Sequence, residues 1–524
     1  MLPPVLHASA TPQLQDFLEH TAARLPEKVA LVARDQRLTY AQLDRQANAL
    51  ARALQLSGVE RGDRVLLFFD NTPEAIISFW AALKANAVPS LVSAQTRKDK
   101  LVYYLDDMRA KALVTDSQLR AVWEPSLPGR THLSAVIVSG ANVEMNAPPV
   151  PVQSWREAID RGAAQGDGPP RRANLDLDLA ALIYTSGSTG DPKGVMLTHR
   201  NMLTAGTSIT TYLQMQEDDV VLCAIPLAFD YGLYQMLMSF KVGARLVLER
   251  NFAFPAKVLK VMEHEKVTGF PGVPTMFAML VELDVSKFDL SSLRYVTNTA
   301  AGLPVKHITM LRQLFPQARL YSMYGLTECK RCTYLPPEDV DRKPATVGIA
   351  IPNTELWLVD EQDRRVGPNV VGQLVIRGAT VMKGYWEKPE ATAKKLRPGP
   401  LPGEQVLYTG DLCKLDDEGY LTFVGRMDDI IKTRGEKVAP REVENALIAV
   451  EGVKEVAVVG VPDPLLGQAV KAFVVLQQGA EVSERTLVVA CQQKLEAFMV
   501  PKQIEFREGL PRSANGKIDK RGLA

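Results

Sequence analysis

The sequence is poor in features that mark several large protein classes. Only five of its 524 residues are cysteine: Cys223, Cys329, Cys332, Cys413 and Cys491. An odd, sparse set does not make a disulfide framework, and it suits a reducing compartment. Cys329 and Cys332 form one C-x-x-C pair without a second, so neither a zinc site nor redox chemistry is expected there. Charge of one sign is also missing: Lys plus Arg total 61 against 60 for Asp plus Glu, a formal net charge of +1. That balance argues against a nucleic-acid or anionic-membrane partner. No apolar run is long enough to cross a bilayer. The opening residues, Met1-Leu-Pro-Pro-Val-Leu-His7, lack the basic stretch and apolar core of a signal peptide. A soluble, cytoplasmic protein is expected.

What is present is ordinary globular composition, 46% hydrophobic and 23% charged, in a chain too long for one compact domain. Apolar residues over 12–23 recur at helical spacing, and Val29–Ala33 is a short strand. Thr39 is placed to cap a helix running to about Leu56. Arg64–Phe69, Ala112–Thr115 and Ser134–Ser139 are strands around a helix over 73–86. This alternation predicts an α/β fold with a largely parallel sheet. Residues 166–172, rich in Gly, Pro and Arg, form a linker or surface loop. A second α/β alternation follows. Glu355–Val359 and Gly372–Arg377 then look like strands of a small antiparallel barrel, and a compact α+β unit begins near Met427. The expected layout is a large N-terminal domain over 1–426, made of α/β subdomains at about 1–175 and 176–345 and a β-barrel at 346–426. A small C-terminal domain covers 427–524.

The most informative segment is Tyr184-Thr-Ser-Gly-Ser-Thr-Gly-Asp-Pro-Lys-Gly194, which follows the apolar strand Leu179–Ile183. Small residues and glycines let backbone N–H groups turn toward an anion. The hydroxyls of Thr185, Ser186, Ser188 and Thr189 can donate to phosphate oxygens, and Lys193 can supply compensating charge. A Walker A loop is excluded: counting from Gly187, Pro192 stands where the second glycine belongs and Gly194 where Ser or Thr belongs.

This segment resembles the signature loop of the adenylate-forming superfamily, which includes acyl-CoA synthetases, non-ribosomal peptide adenylation domains and luciferases. Four further motifs follow in the family's order: Tyr324-Gly-Leu-Thr-Glu328, Tyr408-Thr-Gly-Asp411, Gly425-Arg-Met-Asp-Asp-Ile-Ile-Lys-Thr-Arg-Gly435 and Pro511-Arg-Ser-Ala-Asn-Gly-Lys517. The resemblance implies a two-step ligase. A carboxylate first attacks the α-phosphate of ATP and expels pyrophosphate, and a thiol then takes the acyl group from the acyl-AMP. Positioning two anions and neutralising growing negative charge is the catalyst's task. The family likeness assigns Lys517 as the cation bridging carboxylate and phosphate, Thr327 as an α-phosphate donor and Glu328 as a Mg²⁺ ligand. Tyr324 would pack on adenine, Asp411 and Arg426 would meet the ribose, and Gly187, Gly302 and Gly325 complete the nucleotide site. Asp428 stands at the family's hinge, about which the C-terminal domain rotates between the two steps. Gly435 would line the thiol tunnel after rotation.

The acid is less legible. In Phe229-Asp230 the acidic residue matches the position that pairs with a substrate ammonium in amino-acid adenylation domains. An acid in an apolar pocket is costly unless a cation meets it. Asp230 capping a helix that starts near Tyr231 is the other reading. After Glu328 the chain reads Cys329-Lys-Arg-Cys332, a departure from the small residues usual there. Arg331 could hold a second carboxylate, or Lys330 and Arg331 could be surface charges or pair with a protein acid. The combination resembles stand-alone enzymes that activate β-amino acids, including a methylated aspartate. By that resemblance Tyr231, Tyr234, Pro271, Thr297, Thr299, Met323, Arg331 and Cys332 would line the acid pocket. An α-amino acid, a β-amino acid and an amino dicarboxylate all remain open. Another departure, Lys84-Ala-Asn86 where the family often has Lys-Ala-Gly, carries no functional meaning at this level. Seven residues follow Lys517 (524 − 517 = 7), so a stand-alone enzyme is expected. Its acceptor would be a separate phosphopantetheinylated carrier protein or coenzyme A. The competing classes are an acyl- or aryl-CoA ligase in which Asp230 is structural, and a non-catalytic nucleotide-binding protein, against which Glu328, Asp411 and Lys517 argue.

Overall fold

The computed structural model describes residues 12–141, 148–185, 191–281, 283–299, 302–433, 436–512 and 518–523. The architecture is mixed α/β, with a large N-terminal domain and a smaller C-terminal one. One sheet is wholly parallel and orders its strands Val88–Ser93, Arg64–Phe69, Ala110–Asp116, Ala135–Ser139, Val152–Ser154. Val65–Phe69 is a continuous apolar run because both faces of this sheet are covered, and all five residues are buried.

A nine-stranded sheet lies beside it. Its order is Ile349–Ala350, Thr333–Leu335, Arg319–Tyr324, Tyr295–Asn298, Gly269–Gly272, Val220–Cys223, Arg245–Leu248, Val29–Ala33, Gln36–Thr39. The two N-terminal strands therefore belong to the sheet built mostly from the second α/β alternation. Leu179–Thr185 and Lys193–Thr198 form a separate antiparallel pair, joined by Gly384–Tyr385. Residues 354–426 make an antiparallel sheet ordered Thr354–Val359, Val371–Gly378, Gln405–Leu415, Leu396–Pro398, with Leu421–Arg426 also on the long strand. This is the segment expected to form a barrel. The C-terminal domain has its own five-stranded sheet and its own apolar core around Ile431, Val443, Val458, Val474 and Leu487.

Local chemistry explains most element starts. Thr39 caps Tyr40–Leu56 by accepting from Gln42 N while the Gln42 side chain returns to Thr39 N, and Thr198 and Ser154 build the same reciprocal cap on their helices. The helix Pro73–Lys84 stops two residues short of expectation because Asn86 is left-handed, at φ 63°. Asn tolerates that conformation where most side chains do not. Asn86 also donates to Arg171 O at 2.9 Å and accepts from Ala173 N at 2.8 Å, tying down the 166–172 linker. The Lys84-Ala-Asn86 departure thus has a structural reason. Among the described residues no helix is long and apolar enough to cross a membrane.

Candidate active site

In open α/β sheets, ligands sit outside the carboxyl ends of strands where the strand order reverses. In the nine-stranded sheet that reversal is at Val220–Cys223, which pairs in parallel with Arg245–Leu248 on one side and Gly269–Gly272 on the other. The carboxyl ends here carry the expected acid-pocket residues. Pro271 is in register with Thr297, Thr297 with Tyr321, and Met323 lies on the same strand as Tyr321, one residue before its end. Tyr231, on the helix Asp230–Val242, reaches across to Thr297 with its hydroxyl 2.7 Å from Oγ1 and 2.9 Å from the carbonyl. The Tyr212 hydroxyl donates to Met323 Sδ at 2.9 Å. Thr299, Cys332, Tyr231 and Tyr234 are all buried.

The turn after Tyr324 carries residues expected on the nucleotide side. Gly325 is required by close approach, since a Cβ there would lie 2.0 Å from the carbonyl oxygen of Lys330. That tight turn brings Thr327 and Glu328 to the cleft. Glu328 accepts a hydrogen bond from the Tyr385 hydroxyl at 2.7 Å, and Lys193 Nζ stands 5.6 Å from the centroid of the same ring. The Tyr385 phenol is pushed up by burial and by Glu328, so it stays a donor. Gln405–Leu415 brings Asp411 to Tyr324, whose hydroxyl donates to the Asp411 carboxylate. Asp411 is also in register with Arg426, whose Nε lies 3.7 Å from Oδ1. Burial raises the Asp411 carboxyl, while Tyr324, Arg426 and Lys395 oppose that rise. Lys395 donates to Thr409 O at 2.5 Å, and its burial-lowered pKa is held up by Glu328, Asp411 and Asp428. Glu328, Lys193, Asp411 and Arg426 therefore share one field, with Tyr385 and Lys395 as members that no local motif signalled.

The C-terminal domain reaches this region. The Arg441 guanidinium packs on the bare backbone of Gly302, where a Cβ would meet Nη2. Asp428 lies in the exposed turn Met427–Asp429 directly after the last strand of the N-terminal domain. Lys517, Gly435 and the loop residues Ser186, Gly187, Ser188 and Thr189 lie outside the described residues.

The pocket holds an ion cluster. Asp230 is the first residue of its helix; the N-cap is Phe229 and no side chain caps it, so the helix-cap reading does not hold. Instead Asp230 Oδ2 is 3.0 Å from Lys330 Nζ. Lys330 is 1% exposed, lies 3.8 Å from the Tyr234 ring centroid and has a left-handed backbone at φ 68°. Burial pushes its pKa down to about 7 against the pull of Asp230. Arg331 is also buried, its guanidinium 4.7 Å from the Tyr231 ring centroid. Neither residue is therefore a surface charge, and Lys330 is paired with a protein acid, Asp230. Among the described residues Arg331 Nε has no hydrogen-bond partner, and no carboxylate is paired with the guanidinium. Cys329 and Cys332 flank the pair as buried free thiols, Sγ to Sγ 3.0 Å.

No group of three or more His, Cys, Asp or Glu that could hold a metal occurs among the described residues. A lone carboxylate at Glu328 fits a Mg²⁺ that takes most of its ligands from phosphates and water, not an all-protein cage.

Comparison with known proteins agrees with this geometry. Residues 18–386 match the model of the AMP-binding enzyme family and residues 442–517 that of the AMP-binding enzyme C-terminal domain. A long-chain-fatty-acid–CoA ligase of Bacillus subtilis (strain 168) is 32% identical, covering 97% of this chain and 94% of its own. Tyrocidine synthase 3 of Brevibacillus parabrevis is 30% identical over 97% of this chain but only 8% of its own length. The structure of the anthranilate CoA ligase AuaEII in complex with anthranoyl-AMP superposes with a TM-score of 0.89 at 28% identity, covering 98% of this chain and 96% of that one. The chain belongs to the AMP-binding enzyme family and is an AMP-forming acid–thiol ligase that uses ATP to make an acyl-adenylate.

Proposed function

We propose that the acid is an amino acid bearing a second carboxylate, and that the acyl group passes to the phosphopantetheine thiol of a separate carrier protein. The observation behind this is the charge of the buried cluster: Asp230, Lys330 and Arg331 sum to one excess positive charge, and among the described residues no carboxylate is paired with Arg331. Burying an uncompensated guanidinium is costly, so the pocket favours a ligand that brings an anion. An ammonium on the ligand would sit beside Asp230, which the Lys330 side chain now neutralises. The second carboxylate would bridge Lys330 and Arg331, the latter suited to a planar two-point contact. Tyr231, Tyr234 and Thr297 fix the walls, and Met323, Thr299, Pro271 and Cys332 set the depth.

The reacting carboxylate then faces the nucleotide. Residues 185–193 cradle the phosphates, with Lys193 as counter-charge, and Thr327 donates to the α-phosphate. Tyr324 packs on adenine while Asp411 and Arg426 hold the ribose. Glu328 would hold a Mg²⁺, which would supply charge neutralisation on the phosphates. Lys517 bridges the two reacting anions, and rotation about Asp428 withdraws it so that a thiol can enter past Gly435. The 1–426 and 427–524 division is the mechanical unit of that rotation.

One observation supports a second reading. Because Lys330 already occupies the Asp230 carboxylate, the substrate could be a dicarboxylic acid without an amine, with coenzyme A as acceptor. Exchange of labelled pyrophosphate into ATP separates the two. Strong exchange with amino dicarboxylates and weak exchange with the matching amine-free diacids supports the first reading; the reverse order supports the second. Exchange only with fatty or aryl monoacids overturns both.

A further inference from the structure

We infer that Asp107 is a positioning residue for nucleotide binding: it holds in place the two ends of the segment that cradles the phosphates. It rests on the reading of residues 185–193 as that segment. Asp107 is the last residue of the helix Lys98–Asp107. A carboxylate there opposes the helix dipole, and only 8% of this side chain is exposed. An acid in that place needs strong compensation, which comes from Tyr184 at the entry to the phosphate segment, from Tyr103 on the same helix and from Lys388. Tyr184, which leads into the segment, donates its hydroxyl to Asp107 Oδ2 at 2.7 Å. Tyr103, one turn earlier on the helix, lies 3.3 Å from Asp107 Oδ1 and donates to Pro192 O at 2.7 Å, where the segment ends. Lys388 Nζ stands 3.2 Å from Oδ1. The Asp107 carbonyl accepts from Trp386 Nε1 at 3.0 Å, and Trp386 N in turn donates to Gly194 O at 2.7 Å.

The entry and exit of the phosphate segment are therefore bonded to one helix end through two phenols. Burial and the Asp107 carboxylate push both phenols up, which keeps them protonated as donors. The Tyr104 ring packs on Tyr184 with centroids 4.7 Å apart and completes the support. None of these side chains lies among the acid-pocket residues, so the arrangement acts on the nucleotide alone. Phosphate affinity depends on the segment being held in the bound geometry beforehand, because ordering it at the moment of binding would consume binding energy.

Steady-state kinetics on D107A, D107N, Y103F and K193A, with melting temperatures, test this. D107A is expected to raise KM for ATP about tenfold while leaving KM for the acid within about twofold. D107N keeps an acceptor for Tyr184 and should fall between D107A and wild type, and Y103F should show the same selective rise on a smaller scale. If D107A does not fold, D107N and Y103F carry the test. An unchanged ATP KM in folded D107N and Y103F overturns the inference, as does an equal rise in both KM values. K193A separates this from the underlying reading: a raised ATP KM in K193A with normal Asp107 variants defeats the positioning role alone. A normal ATP KM in K193A defeats the assignment of the segment itself.

Discussion

Lys330 and Asp230 form an ion pair at 3.0 Å inside the proposed acid pocket, with the Tyr234 ring against the ammonium. The two residues are a hundred positions apart and meet because a tight turn after Tyr324 folds Lys330 inward. Removing one partner leaves the other charge partly buried. Lys330→Met is expected to lower stability by about 1–3 kcal/mol, reduced from the fully buried case because Asp230 is 22% exposed. The double variant with Asp230→Asn should recover much of that loss in calorimetry. Full additivity of the two single effects would show that the pair is not coupled.

The same lysine predicts a pH profile. With a pKa of about 7 in the folded protein, Lys330 loses its charge as the pH rises through neutrality. Its folded value lies below the unfolded one of 10.5, so burial costs the full penalty below about 7, and stability rises between 7 and 10.5. Activity should run the other way: kcat/KM for a dicarboxylate substrate is expected to fall above about pH 7, with ATP saturating. A flat profile in the wild type, or the same fall in Lys330→Met, would remove the lysine from anion binding.

His199 gives a stability prediction independent of the site. It is buried, accepts from Leu14 N at 3.0 Å through Nδ1, and burial pushes its pKa down to about 4 from 6.5. The unfolded chain takes up a proton below 6.5 that the folded one refuses, so stability falls from about pH 6.5 toward 4. Near pH 5 the loss is about 2 kcal/mol. Denaturant titrations of wild type and His199→Gln across that range should differ in slope; parallel slopes would count against it.

Tyr385→Phe deletes the donor to Glu328 and nothing else near the cleft. The rate of pyrophosphate release should drop about tenfold, the value of one hydrogen bond to a charged group. The Mg²⁺ concentration for half-maximal rate should rise, and KM for the acid should not move. A change confined to the acid KM would place Tyr385 elsewhere in the mechanism.

Lys517→Ala should nearly abolish adenylate formation while sparing thiol attack on acyl-adenylate supplied from outside. Pre-formed acyl-AMP and a thiol acceptor, followed by chromatography, measure the second step alone. Equal losses in both steps would mean the lysine does not act chiefly in the first.

Motif order made the family and the α/β class legible, because phosphate and ribose recognition need fixed residue types at fixed places. The strand runs at 64–69 and 135–139 were readable for a related reason: burial on both faces leaves an unbroken apolar run. Residues whose partners are distant in sequence were hidden. Tyr385 looks like any aromatic until pairing with Lys193–Thr198 puts it beside Glu328. Lys330 could be read as a surface charge or as the partner of a protein acid, because nothing local announces that Gly325 lets its backbone fold inward. Asp230 read as a possible cap because its cation comes from another element. Pairing choices among strands were equally silent, and Val29–Thr39 carries no local mark of the sheet it joins.

That last pairing bears on how the chain is made. Val29–Ala33 lies against Arg245–Leu248. A ribosome releasing this polypeptide exposes the early hairpin long before its neighbour exists. The hairpin must wait, with one side unpaired, while the whole parallel sheet of residues 64–154 is synthesised. Vectorial folding from the N-terminus therefore cannot finish the first part of the molecule first.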